Sequence, residues 1–334
     1  MGALKGWSAA SYWKSARPRS GSRSGGKAVR QPVRRGEIAS AAAVGYGCAV
    51  FAPAPSIEPP PLPVTAPGVA AWRWRVHLLV IGVYPLLIGV IAMWRHGDGG
   101  PPALPTRTAA LLLVCAVELA LFGVIFGGAW MASRATGEEL RLRWRGRVRP
   151  VLLGVVYSGA IRLALAVVAI AVAVALLATQ AMKPEDLQSF VGTHGPHVEK
   201  LVDAAALRHD PVYFWIMVTF VSFVVAGLRE ELWRAAFLAG MGGVFPGLTA
   251  RRGGRIAAVA VAAVIFGLGH LQMGGMAVVL TGTIGLLLGL IMLLHGSIWE
   301  AVIAHGMFDA TSFALIPWAL EHLPKQMPVG AWPF

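Results

Sequence analysis

Long uninterrupted blocks of apolar residues run through this chain from Trp72 onward, and they leave few folds open to it. A stretch of about 20 apolar residues, wound as an α-helix, matches the thickness of a bilayer's hydrocarbon core. Inside hydrocarbon every backbone N–H and C=O must find a partner within the protein, and a helix achieves this within one segment. Seven spans are predicted, at roughly 76–94, 108–133, 151–179, 211–240, 255–271, 276–295 and 298–320. The expected fold class is therefore all-α, a polytopic membrane helical bundle of about seven transmembrane helices occupying residues 72–320. Composition agrees: 56% of the residues are hydrophobic and 13% charged, where an average soluble domain carries about 25% charged residues.

Residues 1–71 differ in character. Nine Lys/Arg fall between Lys5 and Arg35 with no acid before Glu37, and Pro then dominates from Pro53 to Pro67. Such a segment buries too little apolar area to offset its ordering entropy, so it is expected to be a disordered basic, then Pro-rich, region. The apolar run 41–52 is too short to span, although a basic stretch followed by such a run has the outline of a signal sequence. Residues 321–334 are expected to form a tail.

The net charge of +13 does not point to nucleic acid, because its arginines flank the apolar blocks. Arg73 and Arg75 precede the first span, Arg134 to Arg149 lie between the second and third, and Arg251, Arg252 and Arg255 lie between the fourth and fifth. Cytoplasmic loops carry such an excess, so the N-terminus is expected in the cytoplasm, and the membrane to be a bacterial cytoplasmic one. Trp72 and Trp74 read as an interfacial anchor. The 180–210 segment reads as a polar loop in which His194, His197 and Glu199 are solvated. Cys48 and Cys115 are too few for a disulfide framework, and Cys115, inside an apolar block, is expected to face lipid or a neighbouring helix.

Ionisable groups deep in a bilayer are costly and need a reason. The run Arg229-Glu-Glu-Leu-Trp-Arg234 puts Glu230 four residues and Glu231 three residues before Arg234, so both can meet it on a helix. Phe266 lies one turn before His270, with two glycines between them. His305 and Asp309 share a face at i, i+4, a spacing that suits fixing a histidine tautomer or supplying two metal ligands. At about 1.5 Å per residue, Glu230, His270, His305 and Asp309 lie roughly 15, 22, 10 and 16 Å from the cytoplasmic helix ends. All could line one cavity. Glu118 reads as a helix–helix contact, and His295 and Glu300 as interfacial.

These residues resemble the CPBP family of intramembrane endopeptidases, the CAAX-protease and bacteriocin-processing group. That family carries EExxxR, FxxxH and HxxxN/D on successive late helices. The counterparts here are Glu230-Glu231 with Arg234, Phe266 with His270, and His305 with Asp309, and the likeness covers roughly residues 211–315. One residue fewer separates the glutamates from the arginine than in the family, so aligning on Arg234 places Arg229 at the first Glu position. Asp309 stands where many members have Asn.

The resemblance implies hydrolysis of a peptide bond in the membrane by a glutamate-activated water. Glu230, favoured as base because it shares a face with Arg234, would act with His270. Glu231 and Arg234 would tune it, and His305 with Asp309 would stabilise the oxyanion. Prenylated CAAX tails and leader peptides are the substrates the family suggests, with no cofactor and no nucleic acid. A zinc-dependent variant would use His270, His305, a Glu and Asp309 as ligands. A catalytically inactive scaffold, an immunity-type protein or a transporter is the non-hydrolytic alternative.

Overall fold

Every predicted span is a helix in the computed structural model, which describes residues 69–96, 104–196, 198 and 201–322. The region expected to be disordered, up to residue 68, lies outside the described residues, as do the tail from 323 onward, His197 and Glu199. Among the described residues all regular structure is helical. The long helices are α1 (Ala71–His96), α2 (Thr108–Ser133) and α3 (Arg149–Ala178). Two short helices, α4 (Pro184–His194) and α5 (Ala204–His209), follow. The last four are α6 (Pro211–Val244), α7 (Arg252–Leu268), α8 (Gly275–His295) and α9 (Trp299–His322). Five of these, α1, α2, α3, α6 and α8, are long and apolar enough to cross a bilayer. The chain is an integral membrane protein. Of the other two predicted spans, α7 is only 17 residues long and α9 carries Glu300, His305 and Asp309.

The 180–210 segment, read as a loop, is partly helical because its acids sit where helix starts need them. Asp203 caps α5 by accepting from the Ala205 and Ala206 N–H groups. Asp210 caps α6 in the same way through Val212 and Tyr213 and also accepts from Thr108 Oγ1. The bond from the Tyr213 N–H, foremost among these, lowers the Asp210 carboxyl below its usual range. Each such bond satisfies an orphan donor of the first helical turn.

α6 runs without interruption, but Met217–Leu228 is wound as a π-helix, whose hydrogen bonds skip five residues instead of four. Ser222 follows that wider winding, its Oγ donating to the Met217 carbonyl at 2.8 Å. The π segment packs on α9, which also packs on α3, while α1 packs on α2 and α6, and α8 on α7.

Glycine sets the closest approach between α6 and α9. A Cβ on Gly306 would lie 2.4 Å from the Phe223 ring, and one on Gly227 would lie 2.9 Å from the Val302 carbonyl. Such contacts let helix backbones come close, which is how membrane helices associate. Gly306→Leu is therefore expected to lower stability by about 1–3 kcal/mol, the usual cost of overpacking. Thermal unfolding in detergent checks this, and the same variant should weaken every site interaction that joins α6 to α9.

α1 is tied to its neighbours by polar groups that hydropathy does not reveal. His77 is buried, with Nε2 2.9 Å from the Ala236 carbonyl and Nδ1 2.9 Å from Ser133 Oγ. A ring protonated on Nε2 donates to the first and accepts from the second, joining α1, α6 and α2. Arg73 donates to the carbonyls of Met131 and Ala132 at the end of α2, where a cation meets the negative end of the helix dipole. Trp74 departs from the expected interfacial anchor. Trp72 is exposed, but Trp74 is buried against Gly243, which has no side chain to exclude the indole. Cys115 is buried among helices, the second of its two expected settings.

Candidate active site

The site residues come from three helical regions, on α6, at the end of α7 and on α9. Glu230 and Glu231 open the α-wound part of α6, directly after the π segment. Phe266 lies near the end of α7, and His270 in the turn beyond it. His305 and Asp309 lie on the buried face of α9.

His305 is the hub. Its Nδ1 lies 3.1 Å from Glu231 Oε1, and its Nε2 lies 3.7 Å from Glu230 Oε2 and 3.6 Å from Asp309 Oδ2. The first is a hydrogen bond and the other two are longer than one. The orienting carboxylate of His305 is therefore Glu231, where the i, i+4 spacing had suggested Asp309. The same Glu231 oxygen accepts from Arg234 Nη1. Arg234 and Glu231 are fully buried, so each charge depends on the other. The Arg234 guanidinium also lies over the Phe266 ring, 4.9 Å from its centroid. Phe266 meets His270 and His305 edge-on, with centroids 4.8 and 6.3 Å apart. One aromatic ring thus braces a cation and two imidazoles.

Glu230 is placed differently. Its Oε1 accepts from Arg229 Nη2 at 2.9 Å, and Arg229 Nη1 donates to Glu118 Oε2 on α2 at 2.8 Å. Arg234 serves Glu231 rather than Glu230, so a face shared with Arg234 no longer selects the base. The two glutamates also differ in their exposure to the cavity. A cavity of about 1110 Å³ is lined by Glu118, Arg229, Glu230, His270, His305 and Asp309 at its polar end, and Glu231 does not line it. Its other walls are mostly apolar, including Ile88, Leu113, Val117 and Ile284.

Residues 211–311 match the family described as type II CAAX prenyl endopeptidase Rce1-like. This segment is an Rce1-like domain. It holds Glu230, Glu231, Arg234, Phe266, His270, His305 and Asp309, the residues on which the sequence resemblance stood. No curated protein and no solved structure matches the chain.

Within the Rce1-like domain His270 shares the cavity but no polar contact with the carboxylates. Its Nδ1–H donates to the Phe266 carbonyl at 2.9 Å, which leaves Nε2 as the basic nitrogen of a neutral ring. The ligand set weighed for zinc does not fit the arrangement: among the described residues no three His, Cys, Asp or Glu side chains are disposed to hold a metal ion.

Three features outside or at the edge of the three motifs join the site. Glu118, expected as a helix–helix contact, is one, through Arg229. Arg229 is the second, holding two carboxylates at once. Arg162 on α3 is the third. It donates to the Phe308 carbonyl, to Thr311 Oγ1 at 2.5 Å and to Ser312 Oγ at 3.0 Å, and lies 4.2 Å from the centroid of the Phe308 ring. These contacts fix the turn of α9 that carries Asp309. A lone cation in the middle of a thirty-residue apolar block was the signal for it. His295 bonds to the Tyr157 hydroxyl at 2.8 Å, and Glu300, expected at the interface, is instead buried.

Proposed function

We propose that this protein is an intramembrane endopeptidase that hydrolyses a peptide bond near the C-terminus of a prenylated, CAAX-type substrate. The observation that carries the reading is the meeting of Glu230, His305 and Asp309 at the polar end of a large, mostly apolar cavity. Apolar walls suit a prenyl chain, and a carboxylate–histidine cluster suits acyl chemistry in a site where water is scarce.

Glu230 is the base. It takes a proton from a water whose oxygen attacks the scissile carbonyl carbon, with His270 Nε2 able to assist. His305, donating to Glu231 through Nδ1–H, presents Nε2–H to the developing oxyanion when the ring carries both protons. Asp309 borders the same space. Glu230 then returns the proton to the leaving amine nitrogen as the C–N bond breaks. Glu231 and Arg234 touch no substrate in this scheme and serve to position His305. α7 and α9 join the five apolar helices as spans, giving seven among the described residues. The arginine-rich connections lie on the cytoplasmic side of a bacterial cytoplasmic membrane, with the N-terminus inside.

Purified protein in liposomes is expected to cleave a farnesylated C-terminal peptide and to ignore its unprenylated counterpart, with products read by mass spectrometry. Cleavage should persist in a chelator, because among the described residues no three His, Cys, Asp or Glu side chains are disposed to hold a metal ion. Binding of the farnesylated peptide without any cleavage would overturn the hydrolytic reading and favour a substrate-capturing scaffold.

A further inference from the structure

Outside the cavity, several buried charged side chains make no ion pair among the described residues, Arg141 among them. Arg141, in the connection between α2 and α3, is 4% exposed, and its Nε and Nη2 find no hydrogen-bond partner. The backbone commits the side chain inward. Arg141 has φ +56°, in the left-handed region that non-glycine residues avoid, its N–H donates to the Glu138 carbonyl, and its own carbonyl accepts from the Ile298 N–H at 3.0 Å. A conformation this costly persists only where the surroundings impose it.

The charges acting on Arg141 are cations. Arg255, on the first turn of α7 and itself 8% exposed, and the exposed Arg145 both repel it. Burial first, then these two neighbours, push the Arg141 guanidinium down to about 10. No acid is among the charges acting on Arg141, although Glu139 Oε1 and Glu300 Oε2 are buried without a hydrogen-bond partner. Glu139 turns Oε2 to the Thr136 N–H and hydroxyl, and Glu138 pairs with Arg143 on the surface. A buried charge is normally paired, so a buried guanidinium with two cationic neighbours and no ion pair among the described residues is arranged for an anion from outside.

We propose that Arg141, Arg145 and Arg255 form a phosphate-binding site at the membrane surface. Its position supports this: the α2–α3 connection docks on the α8–α9 turn, through Arg141 to Ile298 and through Trp299 Nε1 to the Leu142 carbonyl at 2.9 Å. The start of α7 joins them, so the site lies at one end of the bundle. Partly exposed Trp144 and exposed Val148 flank it, apolar groups of the kind that sit at headgroup level. Planar guanidinium groups match phosphate oxygens in pairs. The phosphate comes from an acidic phospholipid headgroup or from solution. Nothing in this site depends on peptide hydrolysis.

The test uses the full chain in phosphatidylcholine nanodiscs, with phosphatidylglycerol in one arm and inorganic phosphate in the other, read by thermal unfolding and by native mass spectrometry of retained lipid. Phosphatidylglycerol is expected to raise the unfolding temperature of the wild type. Arg141→Gln and Arg255→Gln should each bind it about fivefold more weakly, the effect of one basic residue near an anionic surface, while Arg143→Gln, paired on the surface with Glu138, should bind as the wild type does. Should Arg141→Gln fail to fold, Arg255→Gln carries the comparison. An Arg255-dependent shift with inorganic phosphate would assign the site to a soluble phosphate, and one seen only with phosphatidylglycerol would assign it to a headgroup. Equal shifts in the wild type, Arg255→Gln and Arg143→Gln, or no shift in either arm, would overturn the site.

Discussion

Glu230→Gln is expected to lower kcat for cleavage of a prenylated peptide by about 10²–10⁴-fold, the usual contribution of a general base. Folding should survive, because a glutamine oxygen still accepts from Arg229 and the position faces the cavity rather than the core. A thermal unfolding curve close to wild type, beside lost activity, would separate chemistry from structure. Activity retained in Glu230→Gln would remove Glu230 from the mechanism and direct attention to His270, the other cavity-facing group with a basic nitrogen. The interaction with Arg229 sharpens this experiment. Arg229 divides its guanidinium between Glu118 and Glu230, so Glu230 is partnered but not buried beyond reach.

Arg234→Met is expected to have the largest effect on stability, a loss of about 3–5 kcal/mol. Removing one partner of a buried ion pair leaves the other charge uncompensated in low dielectric. Here the abandoned partner is Glu231, fully buried, with Oε2 already unpartnered and Oε1 shared only with His305. The double variant Arg234→Met, Glu231→Gln should recover most of that loss, because no unpaired charge remains. Unfolding in increasing denaturing detergent reads both. Additive losses in the double variant would mean that the two side chains act independently, contrary to their contact. Activity should not return with stability, since the double variant no longer holds His305 through a charged carboxylate.

The parts of this molecule that were legible in the sequence are those governed by hydrophobicity and by the cost of charge in hydrocarbon. The helices at 108–133 and 276–295 match their apolar blocks closely, and Glu230, Glu231, His305 and Asp309 stood out because nothing apolar explains them. What remained hidden is decided by tertiary approach. Which carboxylate reaches His305 depends on how closely Gly227 and Gly306 let α6 and α9 come, and on the wide winding before Arg229. Trp74 was misplaced for a similar reason, since only Gly243 makes room for its indole in the core. The two short helices in 184–209 are too brief to announce themselves by periodicity, and their capping acids read equally well as a solvated loop.

The π segment of α6 has a consequence for comparing this chain with its relatives. A segment that can be wound either way behaves as a phase adjuster along a rod. Gaining or losing one residue there can be absorbed by tightening or loosening the coil, whereas in a rigid α-helix each residue turns everything beyond it by about 100°. Deleting one residue between Met217 and Leu228 can therefore leave Glu230 and Glu231 facing His305. The same deletion in the α-wound stretch beyond Arg234 would swing Phe237 and Leu238 out of the core. Alignments of related sequences should tolerate a gap in the first stretch and forbid one in the second.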